Sequence, residues 1–343
     1  MLLRSSILNQ AVRYSIYLPP DYYTSNRRYP VVYLLHGHGG FYGDWVKKAP
    51  ATHSLADTYQ AIIVCPDGNA SSWYFDSPVD PSSKYETYVS KELVAWVDTH
   101  YKTIKNRTGR AITGLSMGGH GALYLAFKHQ DVFGAAGSMS GGVDIRPFPN
   151  NWDMAKWLGT YAQNPERWEQ HTVINLLHLL TPGSQALIID CGTEDFFFRV
   201  NTNLHQKMLD MNIAHDYITR PGAHNWNYWN SAVHYQFLFM RMYFDRKGNR
   251  LSLPSDLRWS YRYFGRFVPV GSLLLFDGWS LQDAGIRYSY RVQWLRRNAT
   301  GYVTASRTEG RWTYGQDNEA HLSVDGSKVV LKILDDPKSF FTS

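Results

Sequence analysis

An α/β fold with a mostly parallel central sheet, followed by a small antiparallel β domain, is what this sequence predicts. Three observations carry that prediction. From residue 10 to about 244, short and nearly continuous apolar runs alternate with helical patterns, as in a parallel sheet covered by helices on both faces. Beyond residue 254 the pattern turns to period two, with glycines at hairpin spacing. The length of 343 residues exceeds one domain of roughly 150 residues, which favours two domains or one large and one small. The expected division is 1–245 and 246–343.

Strands are expected at 14–18, 31–35, 61–64, 111–114, 135–139, 186–190 and 216–219, the most continuous runs being central. Helices are expected over 85–100, where Val89, Leu93, Trp96 and Val97 keep helical spacing, and over 118–129 and 201–211. A further helix should close the domain after the last strand. Residues 143–184 are too long for a simple crossover. They hold Pro147, Pro149 and three tryptophans, and read as an inserted helical cap or wall. The basic, polar stretch from Arg246 to Pro254 reads as a linker. In the last segment Ile286, Tyr288, Tyr290, Val292 and Trp294 alternate with polar residues, and Gly301, Gly310, Gly315 and Gly326 punctuate the runs. Residues 255 to about 336 therefore read as a small antiparallel barrel or sandwich.

Composition excludes several classes. With 44% hydrophobic and 19% charged residues, the chain is neither disordered nor fibrous. No stretch approaches the roughly 18 apolar residues of a membrane span, and the N-terminus carries no secretory apolar core. The two cysteines, Cys65 and Cys191, each end an apolar run and read as buried free thiols. The formal charge of +6 is C-terminal: 15 of the 35 basic and 9 of the 29 acidic residues follow Asp245, leaving 20 of each before it. Arginines interleaved with aromatics there fit an anionic partner such as a polyanion or membrane surface, or simply the outward face of a soluble sheet. No nucleic-acid partner is expected.

The chemistry is concentrated in Gly114-Leu115-Ser116-Met117-Gly118. This G-x-S-x-G lies between an expected strand and an expected helix, the context in which a strained turn exposes a nucleophilic serine. Tiny flanking residues are required there, and Gly114 and Gly118 supply them. The helix start also places the Met117 N–H and the helix dipole beside a developing oxyanion. A serine needs a base, and an acid loop and a histidine loop follow the last two expected strands in order. The first is Cys191-Gly192-Thr193-Glu194-Asp195-Phe196 and the second Pro221-Gly222-Ala223-His224-Asn225-Trp226. Among Asp190, Glu194 and Asp195, the last is favoured, because Asp190 lies in the apolar strand and Glu194 points another way. His224 is the base; His215 and His234 read as structural or solvated.

A second oxyanion donor is expected in His36-Gly37-His38-Gly39-Gly40, after the strand at 31–35. By position it is the His38 N–H, with Gly39 the adjacent alternative. His36 and His38 lack a third ligand for a metal, and no metal or organic cofactor is required. Trp45, Trp226 and Trp229, near these loops, are candidate substrate contacts, aromatic planes suiting sugar rings or aromatic acyl groups.

These segments, with Val31-Val32-Tyr33-Leu34-Leu35, Pro66-Asp67-Gly68-Asn69, Gly119-His120-Gly121-Ala122 and Ser140-Gly141-Gly142, make the chain resemble the esterase D-like branch of the α/β-hydrolases over roughly residues 10–244. That branch includes feruloyl and acetyl-xylan esterases, S-formylglutathione hydrolases and mycolyltransferases. The resemblance implies an α/β-hydrolase fold and Ser116, Asp195 and His224 as triad, in agreement with the residue-level reading. It also implies that the carbohydrate-esterase members are the nearest, given the tryptophan-rich histidine loop. The expectation is a serine carboxylesterase acting on acetyl or feruloyl-type esters, carbohydrate-linked, through an acyl-enzyme. The alternatives are an acyltransferase of the same fold or an S-formylglutathione hydrolase-like thioesterase. A polysaccharide substrate implies export, with a leader absent from this chain; a cytoplasmic location is the alternative.

Overall fold

All five residues of Val31–Leu35 are buried, and their side chains alternate between two cores. Val31, Tyr33 and Leu35 enter one, Val32 and Leu34 the other. A strand that must be apolar on both sides is the reason this run is continuous rather than alternating.

The computed structural model describes residues 1–249 other than 51 and 182, together with the backbone of five later strands. The chain divides into two compact units, Met1–Ser252 and Leu253–Ser343. In the first, the strands are β1 (Leu2–Ser5), β2 (Gln10–Tyr17), β3 (Val31–Leu35), β4 (Ile62–Pro66), β5 (Arg110–Gly114), β6 (Ala135–Met139), β7 (Ala186–Gly192) and β8 (Asp216–Arg220). They form one eight-stranded sheet in the order β1-β2-β4-β3-β5-β6-β7-β8. Pairing is parallel from β4 through β8, while β2 is antiparallel to both β1 and β4. The mostly parallel sheet expected from the sequence is present; the edge strand β1 was not anticipated.

The helices are α1 (Asp44–Lys48), α2 (Thr52–Tyr59), α3 (Tyr85–Thr87), α4 (Val94–His100), α5 (Met117–Lys128), α6 (Met154–Leu158), α7 (Pro165–Gln170), α8 (Phe198–Asp210) and α9 (Trp226–Arg246). A π-helical turn, Tyr88–Leu93, joins α3 to α4, so the expected helix over 85–100 is continuous but carries a bulge. Within that turn the Glu92 carboxylate accepts from the Ser5 and Ser6 hydroxyls and the Ser6 and Ile7 N–H groups, which pins the β1–β2 hairpin. Residues from α5 and α8 and from the 88–97 stretch pack in one core; residues from α1, α2 and α9 pack in the other. The insertion between β6 and β7 is helical, holding α6, α7 and a 3₁₀ stretch, Val173–Leu179. Cys65 and Cys191 are free and buried. No helix among the described residues is long and apolar enough to cross a membrane.

In the second unit, Trp279–Gln282, Gly285–Tyr290, Thr308–Tyr314, Glu319–Val324 and Ser327–Lys332 form a five-stranded sheet in which each strand is antiparallel to its neighbours. Residues 250–254 of the expected linker lie outside the described residues.

Two buried polar groups in the first core make stability depend on pH. Burial alone would raise the Glu86 carboxyl, but His129, Lys128 and Tyr124, all hydrogen-bonded to it, hold it down at about 2. A carboxyl lowered on folding adds stability above its unfolded value, about 4.5, and loses it as pH falls toward 2. The contribution at neutral pH is about 3 kcal/mol. Burial likewise lowers His120 to about 4, opposed in part by its bond to the Gly142 carbonyl. Its contribution is present above about 6.5 and lost as pH falls through 4. Both act in the same direction. Urea unfolding at pH 7, 5 and 3 is therefore expected to show falling stability, and Glu86→Gln is expected to flatten the lower part of that decline.

Candidate active site

The strand order reverses at β3, whose neighbours β4 and β5 lead away on opposite sides. Ligands of open α/β sheets bind in the crevice beyond the strand ends at such a switch point. The segments singled out in the sequence emerge there: the 36–40 loop after β3, and Ser116 after β5. Leu35 pairs with Gly114 in the β3–β5 ladder, so the two loops leave the sheet side by side.

Ser116 sits between β5 and α5 with φ 54° and ψ −119°. A non-glycine residue in that region is strained, and such strain concentrates where a side chain must be held out. The turn is possible because its flanks lack side chains. A Cβ on Gly114 would lie 2.6 Å from the Gly118 carbonyl carbon and oxygen, and one on Gly118 would lie 2.6 Å from the His36 carbonyl oxygen. Because these neighbours are backbone, they cannot rotate away. Gly118→Ala is thus expected to destabilise the fold by about 2–3 kcal/mol, read from the urea midpoint, and to lower turnover in the folded fraction.

The Ser116 hydroxyl donates to Nε2 of His224 over 2.9 Å, and the His224 Nδ1–H is shared between the two Asp195 carboxylate oxygens at 2.8 and 3.0 Å. The carboxylate is wholly buried while the imidazole keeps 15% exposure. Asp195 also accepts from the Phe197 N–H at 2.8 Å, which fixes its rotamer. Backbone bonds join the acid and histidine loops: Thr193 N–H donates to the Arg220 carbonyl and Glu194 N–H to that of Gly222, at 2.9 and 3.0 Å.

The rival acids are elsewhere. Asp190 is buried and holds Arg220 through two bonds, at 2.8 and 3.1 Å, and also accepts from the Tyr228 hydroxyl. Burial raises its carboxyl against the pull of Arg220 and Tyr228. Glu194 is exposed. His215 bonds His205, and His234 is exposed on α9.

Two backbone donors remain free beside the serine. Neither the Met117 nor the His38 N–H has a hydrogen-bond acceptor among the described residues. Gly39, the adjacent alternative, is corrected: its N–H already donates to the Ala70 carbonyl at 2.6 Å, and its φ of +72° is the left-handed conformation of a type II turn.

The tryptophans divide. Trp45 is fully buried and its indole N–H donates to the Leu35 carbonyl at 3.0 Å, so it packs beneath the loop and does not touch a substrate. Trp229 is 6% exposed and meets the His224 ring edge-on at 4.9 Å; it supports the imidazole. Trp226 is half-buried. The aromatic surface at the site comes instead from residues the sequence reading passed over. Phe196, 52% exposed, lies 4.2 Å from the His224 ring and stacks on Trp152 of the insertion at 5.7 Å. Trp152 and Asp153 both have positive φ, and Asp153 meets the His38 ring at 3.3 Å. The run Phe196-Phe197-Phe198 directly after the acid was the available signal.

Among the described residues no three His, Cys, Asp or Glu side chains gather as a metal site. Both ring nitrogens of His36 are taken, by the Gly37 carbonyl and the Gly68 N–H, so a His36–His38 metal pair does not form.

A serine on a strained strand-to-helix turn, hydrogen-bonded to a histidine and through it to a buried aspartate, at the switch point of this sheet, defines an α/β-hydrolase. A family model described as "Putative esterase" matches residues 5–240, and the chain belongs to that family, Esterase. Over 135 residues it is 38% identical to "Esterase Rv1288" of Mycobacterium tuberculosis, covering 38% of this chain and 29% of that protein. It is 24% identical over 221 residues to "Acetyl esterase" of Caldicellulosiruptor saccharolyticus, covering 61% and 82%. A solved "ferulic acid esterase" superposes with TM-score 0.62 and 28% identity, covering 71% of this chain and 97% of that one. The chain thus spans under a third of the length of the first of these relatives.

Proposed function

We propose that this protein is a serine carboxylesterase that cleaves a hydroxycinnamoyl or acetyl ester borne by a carbohydrate, through an acyl-enzyme. The continuous relay from Asp195 through His224 to Ser116 carries the reading. His224 accepts the Ser116 proton through Nε2 as Oγ attacks the ester carbonyl. Asp195 holds the proton on Nδ1 and supports the imidazolium. The Met117 and His38 N–H groups receive the oxyanion, a donor pair in which each member is worth about 10²–10³ in turnover. The protonated His224 then delivers its proton to the leaving alcohol. Water repeats the sequence on the acyl-enzyme and regenerates Ser116.

Esterase family membership supports ester hydrolysis. The relatives named acetyl esterase and ferulic acid esterase support the acyl classes. The Phe196–Trp152 stack beside His224 favours a planar aromatic group over acetyl alone, since an exposed ring at this position offers a face to another ring. Half-buried Trp226 would meet the sugar. A polysaccharide substrate would place the protein outside the cytoplasm.

Hydrolysis of p-nitrophenyl acetate, methyl ferulate and an acetylated xylo-oligosaccharide, each run beside Ser116→Ala, tests the proposal. Serine-dependent turnover with methyl ferulate preferred is the expected result. Ester consumption that yields a new ester on an added sugar, rather than free acid, would establish an acyltransferase instead. Phe196→Ala is expected to lower kcat/KM for methyl ferulate by about tenfold, as for loss of one well-packed aromatic contact, and to leave ethyl acetate within a factor of about three.

A further inference from the structure

We propose that His36 is a positioning residue that sets the plane of the peptide supplying the second oxyanion donor. The inference rests on the esterase reading above. The peptide in question joins Gly37 to His38. It is trans, so its carbonyl and its N–H point in opposite directions, and whatever anchors the Gly37 oxygen aims the His38 N–H.

Two donors anchor that oxygen. The His36 ring reaches it from Nδ1 at 2.8 Å, and the Gly40 N–H reaches it at 3.1 Å. The direction of the first bond is fixed by the other side of the ring: Nε2 accepts from the Gly68 N–H at 2.8 Å, which leaves the proton on Nδ1, where it can only donate. The ring is buried and burial holds it below the ordinary histidine range, consistent with one proton. The backbone of His36 is held too, its carbonyl accepting from the Tyr74 hydroxyl at 3.1 Å. A Cβ on Gly37 would stand 3.3 Å from that of Ser116, so the oriented peptide is next to the nucleophile.

The segment that grips His36 is itself strained. Trp73 and Tyr74 have φ of 53° and 60° and are buried. The same segment ties down Gly39 through the Ala70 carbonyl and reaches the insertion through the bond from the Trp73 indole to the Trp152 carbonyl. Backbone strain of this kind persists only where surrounding contacts over-determine it, and here those contacts converge on the 36–39 loop.

The test compares His36→Ala and His36→Asn with wild type. Asparagine can place an N–H near the Nδ1 position but offers Gly68 no acceptor at Nε2. Loss of the aim should act on the tetrahedral state and not on ground-state binding. For His36→Ala, kcat on methyl ferulate is expected to fall by about 10²-fold, near the effect of deleting an oxyanion donor, with KM within a factor of about three. The inhibition constant of phenylboronic acid, whose serine adduct is tetrahedral, should rise with the loss in kcat, while that of ferulate does not. His36→Asn should recover about tenfold of the kcat lost. Folded His36→Ala with wild-type kcat and boronate affinity would overturn the proposal. If His36→Ala does not fold, His36→Asn decides alone: lowered kcat with weakened boronate binding supports the proposal, and unchanged values overturn it. Ser116→Ala, run in parallel, separates the two levels, because turnover that survives it would fault the esterase reading and not the role of His36.

Discussion

Replacing Ser116 with alanine is expected to lower kcat on p-nitrophenyl acetate by about 10⁵–10⁶-fold, the scale seen when a serine nucleophile is removed from an intact relay. Stability should hardly change. The side-chain bond lost is the one to His224, and alanine at this position keeps the same backbone, at φ 54°, strained to the same degree. A thermal midpoint within a few degrees of wild type, together with turnover collapsed to background, is the required pair of results. Residual activity above about one part in a thousand would mean that the measured hydrolysis occurs elsewhere on the molecule.

The second large effect separates two aspartates only five positions apart. Asp195→Asn keeps the shape of the relay but offers Nδ1 an amide. The imidazole can then settle in the tautomer that cannot accept the Ser116 proton, a change that costs about 10⁴ in kcat. Asp190→Asn should do the opposite. Its carboxylate is fully buried against Arg220 and Tyr228, so neutralising it leaves a guanidinium with 16% exposure short of its counter-charge, at about 3 kcal/mol in stability. Activity of the fraction that remains folded is expected to stay within about tenfold of wild type, because Asp190 does not contact the reacting atoms. Urea titration and turnover on the same two variants check both statements; a loss of kcat larger for Asp190→Asn than for Asp195→Asn would reverse the assignment.

What was legible in the sequence follows from how each element is stabilised. Strands β3 to β6 stand out because every residue in them is buried, and β7 because all but its first residue, Ala186, is. β1 was missed because it is four residues long with Leu2 and Arg4 exposed, and its pairing depends on Glu92, far away in the chain. The short helices α1 and α2 follow a turn and lean on α9 and the sheet; their own patterns are too brief to register. Chemistry tied to a local motif was readable, since a strained elbow dictates its own glycines and strand ends dictate the order of acid and base. Side-chain surroundings were not. Trp45 and Phe196 are both aromatics beside a site loop, yet one is buried and the other 52% exposed. That difference arises from partners such as Trp226, some 180 positions from Trp45, and Trp152, some 44 positions from Phe196. The same holds for His36, whose role emerges only from Gly68 and Tyr74.

The pairing of Leu35 with Gly114 has a consequence for how such a protein can diversify. The Ser116 turn and the 36–40 loop are rooted in the same rung of one ladder, so neither can drift without a slip that would also move a strand out of both cores. The insertion is rooted differently. It departs after β6, returns before β7, and reaches the reaction centre through a few side chains, Trp152 and Asp153 among them. The insertion and the loops that carry Ser116 and residues 36–40 are thus rooted at different strands of the sheet. Residues 143–184 can change in sequence without shifting the Leu35–Gly114 rung, provided the contacts of Trp152 and Asp153 are kept.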